Sequence, residues 1–549
     1  MDVERAHRIA RERGTVPAVY WAVRALLQPF FLVYFRLRRL STEHIPREGP
    51  VLLAANHRSF SDPFMIGLCL RRPLRFVAKV ELFDKAWKAH LLLALGAFPI
   101  RRGESDELAL ETARVILEGG GAVGIFPEGT RVRSGPLGEP KSGVGYLSLV
   151  TGAPIVPVAI SGTDGIRRGW RIRPRKVVVR CGGRVTPPRP IERSVVPRLA
   201  RELTALVWSC VEFQWEWLGG TPPIRSVAVV GGGSWGTAVA TLFARGGAAV
   251  QLGCRTRAQA RSIEAERTNA RYLPGVALPD SVTVGHAPAL DLGSVDLVCL
   301  AVPSRGLADA IETIDHRLPE GVGVLVLSKG LVAPGGELPS ERVLARTGDR
   351  PVACLGGPAH AGEAVDGRTT LVVGASEPAF GEQLRRLLRE AGCACEINDD
   401  VVGVQLAGAA KNAAALAAGL ALGRGANDAG AAAARVFAEC HQLARARGAD
   451  SESFVGVAGT GDLVATVLAP SSRNRRAGEL LAEGMVREEI EQAVGQAAEA
   501  LDFTPLLAGA MQRAGIEAPA TRALADVVEG AQAGETPGED ERSAHRVAA

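Results

Sequence analysis

The sequence lacks several features that would assign it to a special class of protein. Residues 1–15 are polar and charged, and no small-residue cleavage site follows an apolar core, so we expect no cleavable signal peptide. The nine cysteines form no Cys-x-x-Cys pair and no zinc spacing. We therefore expect no metal site, and reduced, mostly buried thiols in a cytoplasmic protein.

An uninterrupted membrane span is also missing. A span needs roughly 20 predominantly apolar residues, and the apolar segment 17–40 is broken by Arg24, Gln28 and Pro29. We predict an interfacial helix over this segment, with aromatic side chains at the lipid boundary. Three arginines would lie near the headgroups at its basic end: Arg36, Arg38 and Arg39. A buried core helix with a charged flank is the alternative.

What the chain does contain is enough apolar material for several cores. It has 549 residues, of which 47% are hydrophobic and 22% charged, so we expect two to four domains. Residues 1–220 carry 34 Lys and Arg against 20 Asp and Glu, whereas residues 221–549 carry 30 against 39. The basic half favours an anionic surface or substrate. Nucleic-acid binding is disfavoured, because no recognised nucleic-acid-binding fold accompanies the charge.

Hydrophobic periodicity and turn signals divide the chain into four regions. The fold class that we predict is α/β: an α/β domain, then a doubly wound Rossmann sheet, then an all-helical domain and a disordered tail. Their bounds are 1–220, which ends at the linker "WLGGTPP", then 221–400, 401–533 and 534–549.

A glycine-rich turn follows the first apolar strand of the second region. Gly231, Gly233 and Gly236 come after "VAVV" and before a helical pattern, which is the context of a dinucleotide-binding unit. Glycines let the backbone turn tightly and approach a pyrophosphate at a helix N-terminus. With Ser234 and Trp235 they form the predicted cofactor turn.

The second strand of this unit ends in "LGCRTR" and lacks the acidic residue that is usual where NAD is preferred. Arg255 can bind a 2′-phosphate bidentately, so the sequence favours NADP, with NAD as the alternative cofactor. A solvated surface charge is the other interpretation of this arginine.

Four later blocks make the interpretation specific: "SKG" (328–330), "GGPAHAGE" (356–363), "GAAKNAAALAAG" (408–419) and "GTGDLVATVLAPSSRNRRAG" (459–478). With the glycine turn they resemble the NAD(P)-dependent glycerol-3-phosphate dehydrogenase family over about residues 224–530. The resemblance implies hydride transfer to the C2 carbonyl of dihydroxyacetone phosphate, giving sn-glycerol 3-phosphate.

The resemblance also implies residue roles. Lys411 is the acid/base for the developing alkoxide, and a lysine that only reaches solvent is the alternative. The substrate-binding residues are Lys329, Gly357, Asp462, Ser472, Arg473 and Asn474. The cofactor-binding residues beyond the turn and Arg255 are Lys329, Ala361, Arg473 and Glu499. Segment 472–474 could equally be a helix cap with a surface charge.

One block departs from the family. Where the family usually shows Gly-Pro-Ser/Thr-Phe-Ala, this chain has Ala359 and His360 in the middle two positions. Ala359 lacks a hydroxyl that would bind substrate, which affects the expected affinity or choice of substrate.

The first region contains "AANHRSFSDP" (54–63), with His57 and Asp62 five positions apart. An alcohol that attacks an acyl thioester must lose its proton, and a histidine backed by a carboxylate can accept it. Positions five apart lie about 140° around a regular helix. We therefore place His57 on the loop after a strand and Asp62 at a helix start. The alternative is that Asp62 is only an N-cap followed by proline.

Three further blocks follow: "GAFPIRRG" (96–103), "GIFPEGTR" (124–131) and "PIVPVAI" (154–160). Together the four blocks resemble the glycerolipid acyltransferase family that includes 1-acylglycerol-3-phosphate acyltransferases, over roughly residues 30–200. The resemblance implies acyl-CoA or acyl carrier protein as donor, and glycerol 3-phosphate or its 1-acyl derivative as acceptor. Residues suited to binding the acceptor are Arg102, Gly129 and Arg131. Glu128 either orients this loop or binds glycerol hydroxyls.

The two resemblances meet in one pathway, because the product of one half is an acceptor, or its precursor, for the other. We expect a bifunctional enzyme of phospholipid biosynthesis that is cytoplasmic and peripherally attached to the inner face of the cell membrane. A homodimer is one expected oligomeric state. Basic residues 167–176 would attract a membrane surface or coenzyme A phosphates, or are a solvated face. The alternatives are a catalytically silent membrane-docking first half, a cofactor sensor, and a reductase for another phosphorylated ketone, such as acyl-dihydroxyacetone phosphate.

Overall fold

The computed structural model describes residues 1–101, 106–168, 171–188 and 193–533. The predicted tail at 534–549 and the predicted phosphate ligand Arg102 lie outside the described residues. The chain divides into two compact units, Met1–Pro222 and Pro223–Ala549. Each contains a mostly parallel sheet with helices, and the second ends in a helical region. The predicted α/β fold class is confirmed.

The first unit is built on a seven-stranded sheet. Its helices are α1 Val3–Glu12, α2 Pro17–Tyr34, α3 Asp62–Gly67, α4 Ala86–Ala94, α5 Glu107–Glu118, α6 Gly143–Thr151 and α7 Val196–Trp217. Its strands are β1 Arg38–Leu40, β2 Val51–Ala55, β3 Leu74–Lys79, β4 Ala97–Ile100, β5 Ala122–Ile125, β6 Ile155–Ser161, β7 Arg167–Arg168, β8 Arg171–Ile172 and β9 Val178–Cys181. The sheet order is β1-β9-β6-β2-β5-β3-β4, with only β6 and β9 antiparallel, and β7 pairs with β8.

The centre of this sheet explains where its functional loops meet. All five residues of β2, "VLLAA", are buried, as expected for a parallel strand covered on both faces. β2 and β5 are parallel neighbours, so their carboxyl ends lie at one edge. The segments after them begin at Asn56 and Phe126, which brings "NHRSFSD" beside "FPEGTR".

The predicted helix over 17–40 is too long. α2 ends at Tyr34, and Arg36 adopts a φ of 46° that a helix cannot contain. Arg38 and Arg39 belong to β1, which pairs with β9, so they are not the basic end of a helix. The alternative of a buried core helix does not fit α2, because Leu26 and Val33 are 76% and 77% exposed.

The second unit begins with an eight-stranded sheet in the order β14-β11-β10-β15-β16-β17-β18-β19, parallel except for β17 with β18. The strands of the second unit are β10 Ser226–Val230, β11 Ala249–Cys254, β12 Thr268–Asn269, β13 Leu273–Ala277, β14 Val282–His286, β15 Leu297–Leu300, β16 Gly323–Val326, β17 Val352–Gly356, β18 Thr370–Ala375 and β19 Ala394–Asn398. β12 and β13 form a separate two-stranded sheet. The helices that accompany these strands are α8 Ser234–Arg245, α9 Arg257–Glu266, α10 Leu307–Ile314, α11 Pro339–Thr347, α12 Ala361–Val365 and α13 Pro378–Glu390.

The helical region follows the sheet. It comprises α14 Val401–Leu422, α15 Ala426–Ala446, α16 Ser451–Val455, a π-helical turn Val457–Gly461, α17 Asp462–Leu468, α18 Arg473–Ala482, α19 Arg487–Val494, α20 Glu499–Arg513 and α21 Pro519–Ala533. α14 is its central helix, because 18 of its 22 residues are buried.

α14 is also long and apolar enough to cross a membrane by length and composition alone, but 83% of its apolar window is buried inside the protein. Two bent helix pairs, α1 with α2 and Ser451–Leu468 with α18, pass the same test when each is taken as one span.

The backbones of α14 and α18 touch through glycines. A Cβ on Gly419 would lie 2.0 Å from the carbonyl oxygen of Arg475, and one on Gly478 would lie 2.1 Å from that of Leu416. Neither position has room for a larger residue. This contact therefore sets the distance between the helix that carries Lys411 and the helix that starts at Arg473.

Candidate active sites

The glycine turn joins β10 to α8 at the carboxyl edge of the second sheet. Gly231 has a φ of 123°, and a Cβ there would lie 2.3 Å from the carbonyl oxygen of Ala301. A Cβ on Gly236 would lie 1.9 Å from Gly231 O, whereas one on Gly233 would meet nothing within 4 Å. α8 begins at Ser234, where the N–H groups of the first turn have no partner within the helix. The turn is closed toward the protein and open outside, so it fits a dinucleotide pyrophosphate.

Trp235 belongs to the predicted turn, and two further predicted cofactor residues, Ala361 and Arg255, lie beside it. Trp235 and Ala361 are partly buried, and both pack on the cluster that contains Ala238 and Leu273. Arg255 follows β11 directly and is exposed. It makes no hydrogen bond or ion pair with the residues that the structure describes, so its guanidinium is free to bind an added phosphate.

Four polar side chains meet in the helical part of the second unit. Lys329 Nζ donates hydrogen bonds to Asp462 Oδ2 at 2.7 Å and to the carbonyl of Gly357 at 3.2 Å. Lys411 Nζ donates to Thr466 Oγ1 at 3.0 Å and lies 3.4 Å from Asp462 Oδ1. Asp462 and Thr466 are four positions apart and share one face of α17. We call Lys329, Lys411, Asp462 and Thr466 the lysine cluster.

Lys411 has a lowered pKa in this cluster. Burial lowers the pKa of Lys411 to about 8, with the charge of Lys329 acting in the same direction and Asp462 opposing both. Burial alone would raise the pKa of Asp462, but the charges and hydrogen bonds of the two lysines outweigh it and lower that pKa. The Lys411 side chain is only 13% exposed, so it does not simply reach into solvent. A buried lysine with this pKa suits proton transfer.

Ser472 and Asn474 lie at the start of α18. Ser472 is the N-cap of that helix, and its Oγ accepts a hydrogen bond from Arg475 N at 3.4 Å. Asn474 Oδ1 accepts one from Ala500 N at 3.1 Å, which ties α18 to α20. The capping role considered from the sequence is therefore present at Ser472.

Arg473 and Glu499 lie near the lysine cluster. Arg473 is exposed, and its charge lowers the pKa of both Lys411 and Glu499. Burial raises the pKa of Glu499, whereas a hydrogen bond from the backbone N–H of Lys329 acts in the opposite direction. Arg473 Nη1 donates hydrogen bonds to Gln496 Oε1 and to the carbonyl of Ala497, both at 3.3 Å, and these bonds hold its positive charge near the lysine cluster.

Two members of this neighbourhood were given no role from the sequence. Thr466 accepts the hydrogen bond of Lys411, and Asn412 Nδ2 donates to the carbonyl of Lys329 at 3.0 Å. The spacing of Asp462 and Thr466 on a helix would have identified the threonine.

Ala359 and His360, the two residues of "GGPAHAGE" that differ from the family pattern, lie at the edge of this site. Ala359 packs against the sheet core. His360 is the N-cap residue of α12, and its Nε2 lies 3.4 Å from the carbonyl of Ala465 on α17. His360 therefore contacts the helix that carries Asp462.

The first unit brings His57 and Asp62 together. His57 Nδ1 lies 2.8 Å from Asp62 Oδ2, and both side chains are buried. The imidazole stacks on Phe126, with ring centroids 4.1 Å apart. Nε2 makes no hydrogen bond among the described residues, so this nitrogen is available to accept a proton.

Asp62 is not an N-cap. Ser61 occupies that position, and Asp62 is the first residue of α3. Its Oδ2 turns back to accept hydrogen bonds from the backbone N–H groups of Arg58 and Ser59, both at 2.7 Å. The carboxylate therefore orients the loop that carries His57.

Glu128 holds the same loop from the other side. Its Oε2 accepts a hydrogen bond from His57 N at 2.6 Å, and its Oε1 accepts one from Gly138 N at 2.9 Å. Burial raises the pKa of Glu128 to about 7, and these two N–H groups oppose the shift. Gly129 follows with a φ of 67°, and Arg131 is exposed beyond the turn.

Comparison with known proteins bears on both units. Residues 226–380 and 400–536 match the N- and C-terminal parts of the NAD-dependent glycerol-3-phosphate dehydrogenase family, and residues 37–161 match the acyltransferase family. NAD(P)+ glycerol-3-phosphate dehydrogenase of Methylococcus capsulatus is 40% identical over 301 residues, which are 54% of this chain and 90% of that protein. The Corynebacterium kroppenstedtii enzyme is 37% identical over 309 residues, 55% and 93% of the two chains.

A solved structure agrees with these matches. The crystal structure of glycerol-3-phosphate dehydrogenase from Coxiella burnetii is 30% identical, with a TM-score of 0.55, and the match covers 59% of this chain and 98% of that one. More than half of the present sequence matches the two parts of one family. The chain therefore belongs to the NAD-dependent glycerol-3-phosphate dehydrogenase family, and it carries an amino-terminal acyltransferase domain.

Proposed function

We propose that this protein is a bifunctional enzyme of phospholipid biosynthesis. Its dehydrogenase part reduces dihydroxyacetone phosphate to sn-glycerol 3-phosphate, with NADP(H) as the preferred cofactor and NAD(H) as the alternative. Its acyltransferase domain acylates glycerol 3-phosphate or 1-acylglycerol 3-phosphate from acyl-CoA or acyl carrier protein. The observation that carries the proposal is the presence of two proton-transfer pairs on one polypeptide, Lys411 with Asp462 and His57 with Asp62.

In the dehydrogenase part, a bound reduced nicotinamide would supply the hydride for the C2 carbonyl. Lys411 donates its proton to the oxygen that develops negative charge. Lys329 adds a second positive charge beside this oxygen, and Asp462 keeps the two ammonium groups together. A pKa of about 8 allows Lys411 to donate a proton in reduction and to accept one in the reverse reaction.

The ligands' phosphates have separate partners. Arg473 and the amide nitrogen of Asn474 bind the phosphate of the three-carbon substrate. The glycine turn binds the cofactor pyrophosphate at the start of α8. Arg255 lies at the end of β11, where it binds the 2′-phosphate that distinguishes NADP from NAD.

In the acyltransferase domain, His57 Nε2 accepts the proton of the attacking hydroxyl. Asp62 holds the other ring nitrogen and stabilises the imidazolium. The hydroxyl oxygen forms the ester bond, the carbon–sulfur bond of the donor breaks, and His57 passes the proton to the departing thiolate. Arg131 binds the acceptor phosphate near the end of β5.

An apolar groove and an exposed helix suit a lipid substrate. A shallow groove runs along α2 and is lined mainly by apolar side chains and Arg24; they include Tyr20, Leu27, Phe31, Phe64 and Phe76. The outer side of α2 exposes Trp21, Leu26, Phe30 and Val33. The basic segment 171–176 begins in β8, and Tyr34 at the end of α2 donates a hydrogen bond to the carbonyl of Ile172. These features support peripheral attachment to the cytoplasmic face of the cell membrane.

The test supplies the full-length protein with dihydroxyacetone phosphate, NADPH and acyl-CoA, and follows lipids by mass spectrometry. We expect lysophosphatidic acid, or phosphatidic acid when 1-acylglycerol 3-phosphate is added. His57→Ala should abolish acylation and spare NADPH oxidation. Lys411→Ala should abolish NADPH oxidation and spare acylation of added glycerol 3-phosphate or 1-acylglycerol 3-phosphate. If acylation survives His57→Ala, the first half is a membrane-docking module without this catalytic role. If NADPH oxidation requires acyl-dihydroxyacetone phosphate, that compound and not dihydroxyacetone phosphate is the ketone substrate.

A further inference from the structure

Three polar side chains outside the glycine motif hydrogen-bond to its carbonyl oxygens. Gln259 Nε2 on α9 donates to the carbonyl of Gly232 at 2.7 Å, and Asn269 Nδ2 on β12 donates to the same oxygen at 3.1 Å. Asn269 Nδ2 also donates to Thr237 Oγ1 at 2.7 Å. The Thr237 hydroxyl in turn donates to the carbonyl of Gly233 at 2.7 Å.

These bonds determine which side of each peptide faces outward. In a planar trans peptide the N–H points away from the C=O. Because the Gly232 carbonyl points at two amide groups, the N–H of Gly233 points to the opposite side. The space beside the Cα of Gly233 is also open, since a Cβ there would meet nothing within 4 Å. The Gly233 carbonyl is drawn back toward α8, so the N–H of Ser234 is also turned outward.

Glycine makes such restraint necessary. Without a Cβ, the peptide between Gly232 and Gly233 can adopt either orientation at little cost. The reversed orientation would direct a carbonyl oxygen at an approaching anion. Asn269 and Thr237 are 2% and 0% exposed, so water is not at hand to replace their hydrogen bonds.

We propose that Gln259 and Asn269 are positioning residues that hold the glycine turn with its N–H groups outward, and thereby set the affinity for the pyrophosphate of the nicotinamide dinucleotide. Neither residue hydrogen-bonds to a member of the lysine cluster. Their removal weakens cofactor binding and leaves proton transfer at Lys411 unchanged.

The test compares Gln259→Leu, Asn269→Leu and Asn269→Asp in the full-length protein, with NADPH affinity measured by fluorescence titration. Loss of one or two hydrogen bonds corresponds to a rise of about five- to twentyfold in the dissociation constant. We expect kcat and the KM for dihydroxyacetone phosphate to stay within about twofold of the parent. Asn269→Asp keeps the shape but loses both donors, so it should bind NADPH at least as weakly as Asn269→Leu.

Gln251→Leu is the matched control. Gln251 lies on β11 of the same sheet, and its amide makes two hydrogen bonds to the backbone of Asp291, at 2.7 and 2.9 Å, none of them to the glycine turn. Its NADPH affinity should equal that of the parent protein.

Either of two results overturns the proposal. The first is NADPH binding by Gln259→Leu or Asn269→Asp within about twofold of the parent. Gln259 is only partly buried, so this variant is expected to fold even where a change at Asn269 does not. The second is a joint loss of NADPH affinity, kcat and thermal stability in Gln259→Leu, which would mean that the residue supports the fold rather than the turn.

Discussion

Replacement of Asp462 by Asn is the sharpest probe of the lysine cluster. The variant keeps the shape of the side chain but removes the negative charge that faces two buried ammonium groups. Asp462 raises the pKa of Lys411, whereas burial and Lys329 lower it. Removal of the carboxylate must therefore lower the pKa of Lys411 below its present value of about 8.

The size of this effect follows from the distance. Unit charges 3.4 Å apart interact by about 5 kcal/mol at an effective dielectric constant of about 20. If about 2 kcal/mol survives relaxation of the site, the pKa falls by about 1.5 units. At about pH 7.5, the protonated fraction of Lys411 would then drop from about three quarters to about one tenth. Reduction needs the protonated lysine, so the rate should fall about eightfold from this cause alone.

The assay is the initial rate of NADPH oxidation with saturating dihydroxyacetone phosphate, from about pH 5.5 to pH 9.5. The parent rate should decline as pH rises through about 8. The Asp462→Asn rate should decline through about pH 6.5. Asp315→Asn is the matched control, because Asp315 pairs with Arg346 at 2.6 Å outside the lysine cluster.

An Asp462→Asn profile that still declines near pH 8 would refute the coupling between the carboxylate and Lys411. A decline displaced to higher pH would refute its sign. A lower rate at every pH with no displacement would assign Asp462 to substrate contact alone.

Three further predictions use the same protein. Asp62→Asn should lower acyl transfer by about 10²–10⁴-fold and spare NADPH oxidation; retention of most acyl transfer would contradict the role of the pair. Gly236→Ala places a Cβ 1.9 Å from Gly231 O and should cost more than about tenfold in NADPH affinity. Gly306→Ala, where a Cβ meets nothing within 4 Å, is its control. Arg255→Ala should lower kcat/KM for NADPH by about 10–100-fold and leave NADH unchanged; equal losses would exclude a 2′-phosphate contact.

The fold class was predictable because its main signals are local. Parallel strands covered on both faces appear in the sequence as short apolar runs, such as β2 and β10, and their ends are marked by turn residues. Glycines between such a strand and a helical pattern indicate a nucleotide-binding turn. These signals need no knowledge of distant partners.

The features that were missed depend on distant parts of the chain. The apolar pattern of α2 continues past Tyr34, but pairing of β1 with β9 makes Arg38 and Arg39 a strand, and the partner lies 140 residues away. The hydrogen bonds from the backbone N–H groups of Arg58 and Ser59 to the Asp62 carboxylate depend on the path of the loop before it. Gln259 and Asn269 likewise reach the glycine turn only through the packing of α9 and β12.

The glycine contact between α14 and α18 has a consequence for how this enzyme can vary. Lys411 belongs to one of these helices and Arg473 to the other. The gap between the proposed proton donor and the proposed phosphate ligand is therefore set at two glycines, Gly419 and Gly478, where the helix backbones touch. Alanine at either position would wedge the helices apart without altering a charge or a ligand contact. Turnover in this protein therefore depends on glycine at Gly419 and Gly478, although neither residue carries a reactive group.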